Sequence, residues 1–156
     1  MEIRPAVQED IPQILALLSQ VLELHAALRP DIFISGTTKY TQAELLDIFA
    51  DETRRTYVAA EGERVLGYAF CELKTQPFSN TMVPFTSFYI DDLCVDASAR
   101  GMHVGKALFE HVKAQAKALG CYEVTLCVWE GNDGAKAFYD KMGMRPKETM
   151  LELILK

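Results

Sequence analysis

An α/β (α+β) fold, a mixed sheet flanked by helices, is predicted for this 156-residue chain by three features of its sequence. The apolar residues switch several times between the 3.6-residue period of a helix and the two-residue period of a strand. The helical stretches open at capping residues or prolines and close at glycine or proline. Between the second and third helices lie three β-rich runs, two of them joined by the hairpin-type turn Glu61-Gly62-Glu63-Arg64.

Taken in order, Glu2 to Val7 is a short, partly alternating strand that runs into Asp10, a helix cap, with Pro12 in the first turn where a missing N–H does no harm. Ile11, Ile14, Leu15, Leu18, Val21, Leu22 and His25 then recur at helical spacing until Pro30 ends the run. Arg29 to Tyr40 reads as a loop, and Gln42 to Asp51 as a shorter helix with Leu45, Leu46 and Phe49 inside. The period changes at Thr56 to Ala60 and Val65 to Leu73, two strands of a hairpin. A connection from Thr75 to Pro84 follows, carrying Phe78 and Met82, apolar cargo that suggests a cover for a site or a contact with a second copy.

Phe85 to Val95 is the next strand. A helix runs from about Val104 to Leu119, with Ala107, Leu108, Val112, Ala116 and Leu119 as its buried stripe and Gly120 as its stop. Tyr122 to Trp129 alternates as a strand, with Val124, Leu126 and Val128 on one face. Asn132 or Asp133 caps a last helix bearing Ala135, Phe138, Tyr139 and Met142, and Thr149 to Leu155 closes the chain as a strand. The order is β-α-α-β-β-β-α-β-α-β, in a single domain spanning residues 1–156.

A net charge of -6 and a pI near 5.1 argue against nucleic acid or an anionic membrane surface as a partner, because both need clustered Lys and Arg. The same acidic balance suits a cationic substrate. No apolar run approaches bilayer length and no basic segment precedes an apolar one at the N-terminus, so a cytoplasmic protein is expected. Cys71, Cys94, Cys121 and Cys127 lack CxxC spacing and lie in apolar stretches; they read as reduced core residues, and no metal site is expected.

The stretch richest in chemistry is the turn Arg100-Gly101-Met102-His103-Val104-Gly105-Lys106 between a strand and a helix. The first N–H groups of a helix lack partners and stand beside its positive dipole, so such an end binds phosphate. Gly101 and Gly105 allow close backbone approach, and Arg100 and Lys106 supply charge for a pyrophosphate. By spacing alone this is an ordinary basic turn. Asp91 and Asp92, adjacent in an otherwise apolar strand, are expected on opposite faces, at least one of them in an unusual environment.

From Tyr89 to Met144 the chain resembles the GCN5-related N-acetyltransferase superfamily, in the runs YIDDLCVD, ARGMHVGKALFEHV and TLCVWEGNDGAKAFYDKMGM. The resemblance implies a mostly antiparallel sheet and an acetyl-CoA-dependent N-acetyltransferase acting on a primary amine. Within it, the backbone of Leu93, Cys94 and Val95 would pair with the pantetheine arm, and Arg100, Gly101, Met102, His103, Val104, Gly105 and Lys106 would hold the pyrophosphate. Asn132 would contact the arm or cap the last helix.

The same resemblance assigns proton removal to an acidic residue, Asp91 first, with Asp92 and Glu72 behind it, and makes Tyr139 the general acid for the departing thiolate. A backbone N–H near Cys94 would hold the oxyanion. His25, Arg29, Asp31, Phe33 and Tyr40 would form the acceptor-side wall. The one departure is His103, where the family has Gly; a helical backbone there would let His cost little. The acceptor is expected to be a small cationic amine, with protein lysines or N-termini and a non-catalytic acyl-CoA module as alternatives. The apolar Phe78 to Phe85 segment makes a homodimer the expected assembly.

Overall fold

In the computed structural model, which describes residues 1–75 and 79–156, the strands are β1 (Glu2–Pro5), β2 (Arg54–Glu61), β3 (Arg64–Thr75), β4 (Thr86–Val95) and β5 (Glu123–Leu126). The helices are α1 (Ile11–Leu28), α2 (Gln42–Ala50), α3 (Val104–Ala118) and α4 (Asp133–Lys141). Sheet order follows chain order, β1-β2-β3-β4-β5; the first three pairings are antiparallel and β4 runs parallel to β5. A parallel neighbour needs a crossover, which α3 supplies.

Two apolar layers sandwich this sheet. On one face Tyr57, Leu66, Phe88 and Ile90 pack on Val104, Leu108, Phe109 and Val112 of α3, with Phe138, Tyr139 and Met142 of α4 at the margin. On the other, Val58, Tyr68, Phe70 and Cys94 pack on Ile11, Ile14, Leu17 and Leu18 of α1 and on Leu45 and Ile48 of α2. The helical periods are therefore those expected, with three exchanges of place. Leu17, more deeply buried than Leu15, faces the sheet from α1. Ile48, not Leu46, faces the sheet from α2, and Phe109, not Leu119, completes the stripe of α3. Leu119 is the C-cap, where the chain is already leaving the core.

Residues 8–28 are long and apolar enough to cross a bilayer, contrary to the expectation from the sequence, and their buried stripe packs on β3 and β4. Asp10 does not cap α1 with its side chain. It takes a two-pronged bond from Arg4 (2.7 and 2.9 Å) and another from the Val7 N–H (2.8 Å), tying β1 to the start of the helix. Of the cysteines, Cys71 and Cys94 are buried as expected, Cys121 is half-buried and Cys127 is exposed, because β5 ends at Leu126 rather than Trp129.

One further expectation changes. The segment 149–155 forms no strand and is exposed. Phe78 lies outside the described residues, while Met82 and Val83 are exposed and Phe85 stacks on Tyr122 at 4.9 Å.

Candidate active site

The sheet opens where its parallel pair parts. Pairing of β4 with β5 stops at Ile90 with Leu126, but β4 continues to Val95, so among the described residues Asp91–Val95 have a free edge on the β5 side. On the opposite side the same residues pair with β3. The Asp96 N–H bonds the Leu66 carbonyl at 2.8 Å, and backbone direction alternates along a strand. Cys94 therefore also turns its backbone to β3, and Leu93 and Val95 turn theirs to the open side. Of the three residues expected to pair with a cofactor arm, Leu93 and Val95 have the geometry for it. The Cys94 backbone is already engaged with Tyr68, its thiol lies 3.7 Å from the Leu17 carbonyl, and burial pushes that thiol up to about 12, where it is no nucleophile.

The glycine that permits this tight pairing is Gly67 of β3. A Cβ there would sit 2.6 Å from the Cys94 carbonyl oxygen and against Leu108 and Val104. Nothing in the periodicity of β3 marks this position; a glycine inside a β run is the single available signal.

Asp91 and Asp92 do not point to opposite faces. Phe70 opposes Asp92 and Cys71 opposes Ile90, so Asp91 is the extra residue of a β-bulge and the alternation is reset there. Both carboxylates consequently accept hydroxyls from the α1/α2 side: Asp91 from Tyr40 at 2.5 Å and Asp92 from Tyr68 at 2.7 Å. Asp91 also carries the Lys39 ammonium at 3.0 Å. Burial raises the Asp92 carboxyl above its ordinary range, against the opposing effects of the Tyr68 bond and the Lys39 charge. Glu72, on β3, lies opposite Arg54 of β2 on one side and Tyr89 of β4 on the other, one pair away from the bulge. Tyr68, Lys39 and Arg54 were not marked as site residues by the sequence, since each reads as a strand or loop residue until the sheet register joins them.

Tyr139 reaches the same region from α4. Its ring packs on Phe138 (5.0 Å) and Phe109 (6.2 Å), and its hydroxyl makes no hydrogen bond among the described residues. Burial, then the charge of Asp92, pushes the phenol well above its ordinary value, so it is a protonated group at neutral pH.

Beyond Val95 a short turn leads into α3 through Arg100, Gly101 (φ 81°), Met102 and His103 (φ 61°, ψ 22°). His103 is thus left-handed, not helical as expected, which accounts for a family preference for Gly at this position. The first bond of α3 runs from the Ala107 N–H to the His103 carbonyl (3.0 Å), and no side chain caps the end. The amides of Val104, Gly105 and Lys106 are therefore free of helical partners, beside exposed Arg100 and Lys106. Gly105 also has a packing use. A Cβ on it would lie 3.3 Å from Phe138 and 3.5 Å from Val95, so its bareness lets α4 close on α3. Asn132 caps α4, its side-chain oxygen accepting from the Ala135 N–H at 3.2 Å.

The loop after α1 spans the opening. At its start Phe33 meets His25 (5.2 Å) and Trp129 (5.3 Å), the latter just past β5, and Arg29 lies 6.0 Å from the Trp129 ring. At its end Lys39 and Tyr40 grip Asp91 on β4. His25, Arg29, Phe33 and Tyr40 thus wall the splay on the α1 side; Asp31 serves the wall indirectly, bonding Arg29 at 2.9 and 2.8 Å. Burial lowers the His25 imidazole, leaving it neutral.

The chain matches the acetyltransferase (GNAT) family over residues 19–144. It is 36% identical over 67 residues to a glucosamine 6-phosphate N-acetyltransferase of Trypanosoma brucei brucei (43% of this chain, 44% of that one). Over 64 residues it is 38% identical to the Arabidopsis thaliana protein of the same name (40% of each). The match spans less than half the length of these curated relatives. Among solved structures, a single-substitution mutant of the BH1408 protein from Bacillus halodurans superposes with a TM-score of 0.95 at 34% identity, covering all of both chains. With its sheet, its strand splay and its glycine-bearing turn, the chain belongs to the acetyltransferase (GNAT) family.

Proposed function

We propose that the protein is an acetyl-CoA-dependent N-acetyltransferase that acetylates a primary amine on a small cationic molecule by direct attack on the thioester. One observation carries this reading: β4 outruns β5, so the free backbone edge at Leu93 and Val95 leads directly to the unpartnered amides of Val104–Lys106. An amide-bearing arm ending in a pyrophosphate fits such an edge and such a helix end together. Acetyl-CoA, the family's donor, has that form. Arg100 and Lys106 would add charge at the phosphates, and His103, exposed in the same turn, stands at their border.

An alkylammonium with a reference pKa of about 10 must lose its proton before attack. Between the two aspartates the geometry favours Asp92. Asp91 is occupied by an ammonium and a phenol, whereas Asp92 has one hydroxyl partner and a carboxyl raised towards the range of a working base. Attack on the thioester carbonyl forms the C–N bond and an oxyanion, for which the open-side N–H of Leu93 or Val95 is the available donor. Collapse breaks the C–S bond, Tyr139 protonates the departing thiolate, and the tyrosinate left behind takes the second proton of the acylated nitrogen, while Asp92 returns the first to solvent.

A raised phenol is a weak acid, but part of that shift comes from the charge of Asp92. Once Asp92 has taken the amine proton that charge is gone, and Tyr139 becomes the stronger acid at the step that needs it. Asp91 then serves to fix Tyr40 and Lys39, and with them the acceptor wall. The likeness to glucosamine 6-phosphate N-acetyltransferases supports a small amine over a protein substrate.

The test is mass spectrometry of a panel of amines, with glucosamine 6-phosphate, polyamines, aminoglycosides, amino acids and lysine peptides, each incubated with enzyme and acetyl-CoA. An added acetyl group on a small amine is expected. Modification of the peptides alone would replace the small-molecule reading with the protein-acetylating one.

A further inference from the structure

Near the end of the loop that walls the acceptor side, Lys39 turns its ammonium towards β4. The Nζ atom lies 3.0 Å from a carboxylate oxygen of Asp91 and donates to the Asp91 backbone carbonyl at 3.3 Å, with the Tyr40 ring 5.7 Å away. Its charge reaches further. It opposes the rise that burial imposes on the Asp92 carboxyl, and it adds to burial in lowering the His25 imidazole. A primary amine of the chain itself thus stands among Asp91, Asp92, His25 and Tyr40, where the amine of the proposed reaction is received. The other lysines with carboxylate partners among the described residues, Lys113, Lys136 and Lys147, meet Glu110, Glu130 and Glu123.

The position along β4 matters as much as the partners. Asp91 and Leu93, whose open-side N–H is a donor for the oxyanion, are two residues apart, about 7 Å along a strand. A flexible four-carbon stem covers a displacement of that size. The Lys39 side chain is 43% exposed, so packing does not pin it. Nor does the loop depend on it alone. Tyr40 bonds the other carboxylate oxygen of Asp91 at 2.5 Å, so the wall stays anchored when the lysine swings away. The partner it leaves is a carboxylate, which can take its proton as it goes.

We propose that Lys39 is a built-in acceptor: resting on the acetyl-transfer reading above, the enzyme acetylates this lysine of its own chain, once, when no substrate amine fills the site. Lys39 Nζ passes one proton to the Asp91 carboxylate and attacks the thioester carbonyl. The C–N bond forms and the C–S bond breaks; Tyr139 protonates the thiolate, and the tyrosinate takes the second proton of the nitrogen. The product is a neutral amide that no longer pairs with Asp91, so one round removes a positive charge from the acceptor wall and ends the reaction.

Intact-mass and peptide mass spectrometry of the full chain, incubated with excess acetyl-CoA and no added amine, tests this. One acetyl group per chain is expected, on Lys39, at a first-order rate that does not change with protein concentration. Thiol release then stops at one equivalent, and turnover beyond it requires an added amine. Tyr139→Phe should slow the labelling at least roughly tenfold, and Lys39→Arg should abolish the first acetyl group. Labels spread over surface lysines at equal rates in wild type and Tyr139→Phe would be chemical acetylation and overturn the proposal. A rate that rises in proportion to protein concentration overturns it too, since the lysine then reacts in the site of another copy. An unlabelled Lys39 in protein that acetylates a free amine sinks this inference alone; an unlabelled Lys39 with no amine acetylated sinks the acetyl-transfer reading with it.

Discussion

Two residues of the site owe their behaviour to their surroundings rather than to their own type. Asp92 is raised by burial and steadied by Tyr68, so a rate limb displaced above the ordinary carboxylate range is expected. The active base is the ionised form, so kcat/KM should fall as pH drops through that raised value. Asp92→Asn should lower kcat by roughly 10² to 10⁴ and abolish the limb while leaving acetyl-CoA affinity within a few fold. An unchanged limb would return the role to Asp91 or to water. His103 is held left-handed at φ 61°. Relief of that strain, about 1–2 kcal/mol, outweighs the extra entropy of glycine, about 0.5–1 kcal/mol, so His103→Gly should stabilise the protein by about 0.5–1 kcal/mol in a denaturant titration. The family resemblance located this departure, but the sign of φ depends on how the turn joins Gly101 to α3, and composition does not carry that.

At the scale of elements, α1 and α3 were legible because each has one face in a core, which writes a period into the sequence, and β2–β4 because a sheet buried on both faces writes β-rich apolar runs between turn residues. The site depends on two interruptions of that regularity. The bulge at Asp91 turns both aspartates to one side, and the early end of β5 leaves β4 unpartnered. Neither leaves a periodic trace; a bulge is defined by the partner strand's register. Gly67 is the element-level key to the cleft. Its alanine variant would bring a Cβ to 2.6 Å from the Cys94 carbonyl, forcing β3 and β4 apart beneath the open edge. Gly67→Ala is therefore expected to cost about 1–3 kcal/mol in a urea titration and to weaken acetyl-CoA binding as well. Loss of stability with unaltered affinity would mean that the edge at Leu93 and Val95 is not where the arm lies.

At the scale of the whole molecule, the donor and acceptor sides we propose are built from different halves of the chain. Residues 91–106, with α4, form the splay and the helix end with its free amides, and it is this half that carries the motifs. The acceptor wall comes from His25 to Tyr40, a loop without periodicity, joined to the rest by contacts such as Phe33 with Trp129 and Tyr40 with Asp91. Contacts between residues so distant in sequence cannot be read from spacing, which is why only the resemblance pointed to this loop. The measurement that bears most directly on the account is release of free CoA thiol from acetyl-CoA by the purified protein, with and without each amine of the panel. The account predicts release that requires the amine, saturates in it, and falls at least roughly tenfold in Tyr139→Phe with CoA affinity retained. Tight binding of acetyl-CoA without amine-dependent release from any acceptor would contradict it.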